Sequence, residues 1–242
     1  MMKNIAKGFA LAISMLTTLP FFKVHDFYKG INGYAVMFYP VVGFLLGTIL
    51  YGSYLFLQSY TSHMHVAVIV FTLWVMLTGA LHLDGLSDTI DGLFVKKERA
   101  LQVMKDPHTG GMGMIFSVVF LILKVTTLIV LDAMYLLPFV MMLARFNAVL
   151  AIYIFPYISP NGMSALAKEE FRTTQLFVVF AYVFVLSFVF SWSLLFISLF
   201  VLFVIKTFFM RRYGGFSGDI YGFTIEMTEL ILLNAVVLGI LS

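Results

Sequence analysis

The chain of 242 residues is 62% hydrophobic, 17% aromatic and only 11% charged, against about 25% charged residues in a soluble domain. That balance excludes an ordinary water-soluble enzyme and predicts an all-α, polytopic integral membrane protein whose partner is the lipid bilayer. The absence of cysteine excludes disulfides and thiolate metal sites, and the net charge of +3, spread along the loops without a basic stripe, argues against nucleic acid as a partner.

Gly8 to Phe22 is apolar between Lys3/Lys7 and Lys23, with Pro20 near its end and no small-residue cleavage site, so it does not read as a signal peptide. It is short of the about 20 residues a span needs, and a short N-terminal interfacial or re-entrant helix is expected. Lys23, His25, Asp26 and Lys29 follow as a polar link. From Gly30 to Leu83 there is no Lys, Arg, Asp or Glu. That run holds a first span, Tyr34 to Leu57, with Gly43 and Gly47 as a small-residue packing face. A polar turn, Gln58 to His65, leads to a second span from Val66 to about Leu83.

Asp84 to Gly113 is the longest polar segment. A third span, Met114 to Leu131, contains Lys124, and a fourth runs from about Tyr135 to Phe155 around Arg145. Pro156 to Thr174 is a charged loop. The uncharged run Thr173 to Ile205 would be about 50 Å long as one helix, so two short spans joined near Ser191-Trp192-Ser193 fit better. A last helix covers about Ile220 to Leu241. These make about seven spans in a single integral membrane domain, residues 1–242, without internal repeats. With the N-terminus inside, loops 84–113, 156–174 and 206–219 carry nearly all loop Lys and Arg and fall on the cytoplasmic side of the cell (inner) membrane.

Asp84, Asp88 and Asp91, spaced i, i+4 and i+7, lie within roughly 60° of one another on a helix. A charge at the centre of a membrane helix costs on the order of 2.5–3.5 kcal/mol on the mildest scale, so three together require a cavity, water or a cation. An all-oxygen set suits a hard cation, and Mg2+ is the natural one because it shares its coordination with substrate phosphates. D-G-x-x-D-x-x-D-G at a membrane edge is what metal-assisted phosphoryl transfer requires. Lys105-Asp106-Pro107-His108-Thr109-Gly110-Gly111-Met112-Gly113 has the glycines and the following helix N-terminus to cradle a phosphate, or it is a plain connecting loop. His82 points away from the aspartates and reads as a hydrogen-bonded packing residue. Arg145 needs a phosphate or a partner acid such as Asp219, Glu226 or another motif acid, while Lys124 is expected to snorkel. Asp219, Glu226 and Glu229 share a face, with Glu226 read as the deeper and functional glutamate. Arg211 and Arg212 read as topology signals.

These residues resemble the cobalamin synthase family, the adenosylcobinamide-GDP ribazoletransferases. Leu81 through Gly92 is similar to the family's hallmark. Met104-Lys105-Asp106 with Gly110 and Gly113 is similar to a second block. Arg211-Arg212-Tyr213-Gly214-Gly215-Phe216-Ser217-Gly218-Asp219, continuing to Glu226 and Glu229, is similar to a third. Leu16-Thr17 with Pro20, and Phe38-Tyr39-Pro40 with Gly43 and Gly47, are weaker echoes. The chain departs at Pro107-His108, where the family has a small residue and arginine, and at Thr18, where a basic residue is common. The resemblance implies a Mg2+-dependent transfer in which α-ribazole, or α-ribazole 5′-phosphate, attacks adenosylcobinamide-GDP and releases GMP. On that reading Asp84, Asp88 and Asp91 bind the metal, and one of them or Asp106 orients the hydroxyl. Lys105, His108, Gly110, Gly111, Gly113, Arg145, Arg211, Asp219 and Glu226 are then candidates for holding substrate, and a homo-oligomer stays open.

Two other readings fit parts of the pattern. A CDP-alcohol phosphatidyltransferase also places D-G and paired aspartates at a membrane edge, but Ser87-Asp88 stands where its Ala-Arg would be. A divalent-cation transporter would place its acids near the midplane on interrupted helices and show paired repeats.

Overall fold

A computed structural model describes residues 2–19, 28–159 and 164–240. Pro20, the link residues Lys23, His25 and Asp26, part of the 156–174 loop and Leu241 lie outside the described residues. In chain order the helices are α1 (Met2–Leu16), α2 (Ile31–Leu57), α3 (His63–Thr78), α4 (Leu81–Leu93), α5 (Lys97–Val103) and α6 (Gly111–Ile129). A 3-10 turn, Met134–Leu136, leads to α7 (Leu137–Ile154), followed by α8 (Ser164–Glu170), α9 (Thr173–Val189), α10 (Trp192–Tyr213) and α11 (Gly218–Val237). Among the described residues, five helical segments are long and apolar enough to cross a membrane, or up to seven if each of two sharply bent pairs is one span. Helices dominate because a backbone in hydrocarbon has to satisfy its own hydrogen bonds.

The packing is that of a membrane protein. Every residue of α7 from Leu137 to Ile152 is buried, and α2, α9, α10 and α11 surround it. The peripheral helices present large apolar side chains outward, among them Ile115, Phe116 and Ile122 on α6, Phe177, Phe184 and Phe188 on α9, and Phe196, Phe200 and Phe203 on α10. Such a surface needs lipid as its solvent. The packing role expected of Gly43 and Gly47 is observed where α2 crosses α7. A Cβ on Gly43 would lie 2.7 Å from Arg145 Cδ, and one on Gly47 would lie 2.6 Å from the Pro138 nitrogen.

The second span does not run on to Leu83. α3 stops at Thr78, and Gly79 (φ 59°) and Ala80 (φ 55°) both take the left-handed conformation, turning α4 through 82°. Alanine there costs on the order of 1–2 kcal/mol relative to a right-handed residue. Thr18 helps hold the corner: its N–H donates to the Leu77 carbonyl and its hydroxyl to that of Met76, both at 2.9 Å. The aspartates therefore sit on a separate helix. Asp84 to Gly113 is also not one loop, since α4 and α5 occupy much of it.

The expected break near Ser191 is present, with the Ser191 hydroxyl accepting from the Leu194 N–H at 3.3 Å as an N-cap. α10 then continues through Lys206, Arg211 and Arg212, and ends only at Gly214 (φ 81°), so the loop expected over 206–219 is shorter. The N-terminal helix is short, as expected, and begins at Met2.

Candidate active site

The three sequence blocks meet at one end of the bundle. α4 crosses α11 at a pair of glycines: a Cβ on Gly85 would lie 2.9 Å from the Asp219 carbonyl oxygen and 3.3 Å from Gly222 Cα. This close crossing sets Asp219, in the first turn of α11, beside the aspartate face of α4. Asp88 lies within range of the negative charges of Asp84, Asp91 and Asp219. Asp219 in turn interacts with Asp84 and with the Lys105 ammonium. Asp84 is exposed, Asp88 half-buried and Asp91 only 7% exposed, so the carboxylates step inward along the helix.

The innermost carboxylate organises the glycine loop. Asp91 Oδ2 accepts from the Gly110 N–H at 2.7 Å and Oδ1 from the Gly113 N–H at 2.8 Å. These are charge-assisted bonds to amides that open α6, whose dipole favours an anion there. The loop can approach only because it lacks side chains: a Cβ on Gly113 would lie 2.5 Å from Ser87 Oγ and 2.7 Å from the Ser87 carbonyl oxygen. Gly113→Ala is therefore expected to destabilise the protein by about 1–3 kcal/mol and to loosen the loop, read as a lower unfolding midpoint in detergent.

The third block locks the far end of α4. Arg212 Nη2 donates to the Leu93 and Val95 carbonyls at 2.8 and 3.2 Å, and the Tyr213 hydroxyl donates to the Gly92 carbonyl at 2.9 Å. These satisfy carbonyls that a helix C-terminus leaves open. Ser217 caps α11, accepting from the Ile220 N–H at 3.3 Å, and its hydroxyl donates to Asp219 Oδ2 at 3.2 Å. Met104 Sδ lies 4.0 Å from the same Ser217 hydroxyl, which brings the second block alongside Asp219.

Other candidates stand apart. Asp106 and His108 are exposed and pair with each other, Nδ1 to Oδ1 at 2.8 Å; hydrogen bonds from His108 hold the Asp106 carboxyl below the usual carboxylate range. Gly111 is exposed at the start of α6, and Arg211 lies with Phe203, Val204 and Phe208 on the outer side of α10. Arg145 and Glu226 lie deep in the bundle as members of a buried ion cluster. Lys124 Nζ donates to Glu226 at 2.7 Å and to Glu229 at 2.5 Å, and Arg145 Nη1 pairs with Glu229. Lys124 does not snorkel: its ammonium is buried and lies 4.2 Å from the Trp74 ring centroid. Glu229, at 0% exposure, lies deeper than Glu226 at 7% and holds both cations, which reverses the expected order of the two. His82 is buried, as expected, but its Nε2 has no hydrogen-bond partner among the described residues.

Among the described residues no three acidic or histidine side chains close into a ready-made metal cage. The donor chemistry nonetheless fits a hard cation bound together with a ligand. Four carboxylates gather with Lys105 as the cation acting on Asp219, and Mg2+ is held through one or two carboxylates plus phosphate oxygens. Sequence reading missed the anchoring role of Arg212, Tyr213 and Ser217. A basic residue in the last turn before a glycine helix stop is the signal that could have exposed Arg212 as a carbonyl cap.

The profile of a family described as cobalamin-5-phosphate synthase matches residues 8–237. The adenosylcobinamide-GDP ribazoletransferase of Desulforamulus reducens is 36% identical over 238 residues, covering 95% of this chain and 95% of its own. The protein of that name from Thermosynechococcus vestitus is 37% identical over 210 residues, covering 83% and 84%. That from Pseudomonas aeruginosa is 33% identical over 246 residues, covering 98% and 100%. No solved structure matches. With the match extending from α1 through α11 and taking in the carboxylate cluster, the glycine loop and the α4 anchor alike, the chain belongs to the cobalamin-5-phosphate synthase family and is a membrane-embedded transferase.

Proposed function

We propose that this protein is an adenosylcobinamide-GDP ribazoletransferase, joining adenosylcobinamide-GDP to α-ribazole, or to its 5′-phosphate, with release of GMP. The observation that carries this reading is the meeting of Asp84, Asp88, Asp91 and Asp219 beside the glycine loop at one end of the bundle. A ribose hydroxyl of the ribazole attacks the phosphorus on the cobinamide side of the diphosphate. A new P–O bond forms, the bond to the bridging oxygen breaks, and that oxygen leaves with GMP.

Asp84 and Asp88 accept no hydrogen bond from any described residue, which leaves their oxygens free for ligands and for the attacking hydroxyl. One of them takes the hydroxyl proton. Asp84 and Asp88, with Asp91 behind them, would hold Mg2+, which supplies the positive charge that a dianionic diphosphate beside four carboxylates otherwise lacks. Lys105 acts on Asp219 at the same end, and the Gly111 and Met112 amides that open α6 would receive phosphate oxygens. The site end, with Lys96, Lys97, Arg99, Lys105, Lys168, Arg172, Arg211 and Arg212, is assigned to the cytoplasmic side of the cell membrane because the opposite connections hold no Lys or Arg. The test is the purified protein in detergent with Mg2+, adenosylcobinamide-GDP and α-ribazole, scored for GMP and the joined corrinoid. Absence of both products with active controls sinks the reading, and an equal rate in the presence of a chelator removes the metal.

A further inference from the structure

A further cluster adjoins Asp219. The chain after α7 pairs with the third block, the Phe216 N–H donating to the Pro156 carbonyl at 2.8 Å and the Ile158 N–H to the Phe216 carbonyl at 2.9 Å. Tyr157 is thereby fixed between two backbone bonds. Its ring stacks on Tyr221 with centroids 6.1 Å apart and planes 16° apart, and Tyr221 stacks on Phe216 at 5.9 Å and 23°. The result is an aromatic pile that ends at a half-buried tyrosine. The Tyr157 hydroxyl lies beside the Ser159 and Ser164 side chains and within range of the Asp219 charge. Ser164 is seated at the start of α11, where a Cβ on Gly218 would lie 3.4 Å from its Oγ.

We propose that Tyr157, with Ser164 and Asp219 at its edge, is the seat for the guanine base of the nucleotide substrate, a specificity site within the reaction proposed above and resting on that reading. A ring at the end of an aromatic pile offers a flat face on which a planar bicyclic base stacks with little loss of side-chain freedom. The edge decides which base. Guanine presents N–H donors in a row, which a carboxylate and a serine hydroxyl accept, whereas a benzimidazole edge has no such row to satisfy them. The position also suits the nucleotide, because among the described residues Asp219 is the carboxylate that interacts both with the α4 aspartates and with Tyr157. Phosphate at the aspartates and base at Tyr157 then share Asp219 as a common neighbour. Burial pushes the Tyr157 phenol above its usual range, so it remains a neutral hydroxyl at working pH.

The experiment is calorimetric titration of the detergent-purified full chain with GMP and, separately, with α-ribazole. In Tyr157→Leu, GMP binding is expected to weaken by about tenfold or more, while Tyr157→Phe, which keeps the stack, stays within about threefold of wild type and reports that the fold is intact. Binding of α-ribazole is expected to be unchanged in both. Unchanged GMP affinity in Tyr157→Leu, a loss that phenylalanine does not restore, a loss shown by α-ribazole instead, or no GMP binding by the wild type would each overturn the assignment. Failure of the parent reading looks different. Tyr157-dependent GMP binding without any turnover would remove the ribazole transfer and keep the guanine seat; turnover with an unaltered Tyr157→Leu nucleotide KM would do the reverse.

Discussion

Asp88→Asn is expected to lower turnover by more than about 100-fold while leaving the unfolding midpoint unchanged or raised. The two effects part company because of what Asp88 touches. It accepts no hydrogen bond from a described residue, so amide substitution breaks nothing. It does stand amid the charges of Asp84, Asp91 and Asp219, and removing one of four repelling carboxylates relieves the folded state. Asp91→Asn is the internal contrast. Both Asp91 oxygens accept backbone amides, so an asparagine there has to turn an NH2 group toward an N–H, leaving a buried donor unpaired at a cost of about 1–3 kcal/mol. Rates of GMP release and thermal unfolding in the same detergent give both readings. An Asp88→Asn protein with near-normal rate removes Asp88 from the metal and from the chemistry.

What was legible in the sequence was what local periodicity and the cost of charge in lipid dictate. The carboxylate face of Asp84, Asp88 and Asp91, the close crossing at Gly43 and Gly47, the break at Ser191 and the buried state of His82 all follow from side-chain spacing or from a length no span can have. The corner at Gly79-Ala80 was hidden because hydropathy continues through it, and nothing in composition distinguishes a helix that ends from one that turns. Partner choice was hidden for a different reason. The cost of a buried charge says that Arg145 needs an acid, but only the packing of α6, α7 and α11 selects Glu229 over Asp219 or Glu226. Lys124 misled because snorkelling is the default for a lysine near a membrane edge, and the Trp74 ring with two glutamates supplies a better alternative inside. Arg212 misled in the same way, its charge being explained by topology before its carbonyl partners were known. Tyr157 offers no spacing signal, since its stack is assembled from residues about sixty positions apart in the chain.

Glu229→Gln is expected to destabilise the protein by about 3–5 kcal/mol, the cost of breaking a buried ion pair from one side. Lys124 and Arg145 balance Glu226 and Glu229 in formal charge, and Glu229 is the residue that both cations contact. Its removal leaves an excess positive charge on two buried cations. Arg145 already has Nε and Nη2 without a partner among the described residues, so it has little compensation in reserve. A double replacement, Lys124→Met with Glu226→Gln, removes one charge of each sign and is expected to cost less than Glu229→Gln alone, since paired charges exchanged for neutral groups forfeit attraction and desolvation together. Equilibrium unfolding in mixed micelles measures both. A Glu229→Gln protein as stable as wild type would show that the cluster holds nothing in place. Function follows stability here through geometry. Glu229 lies ten residues along α11 from Asp219, and Lys124 eleven along α6 from Gly113, about 15 Å in each case at 1.5 Å per residue. The ion pairs thus pin both helices at one depth beneath the carboxylates and the glycine loop, and releasing the pin lets the two halves of the site slide relative to each other. Well below its lowered melting point, Glu229→Gln is therefore expected to retain turnover at a modestly reduced rate, whereas Asp88→Asn stays more than about 100-fold down at every temperature.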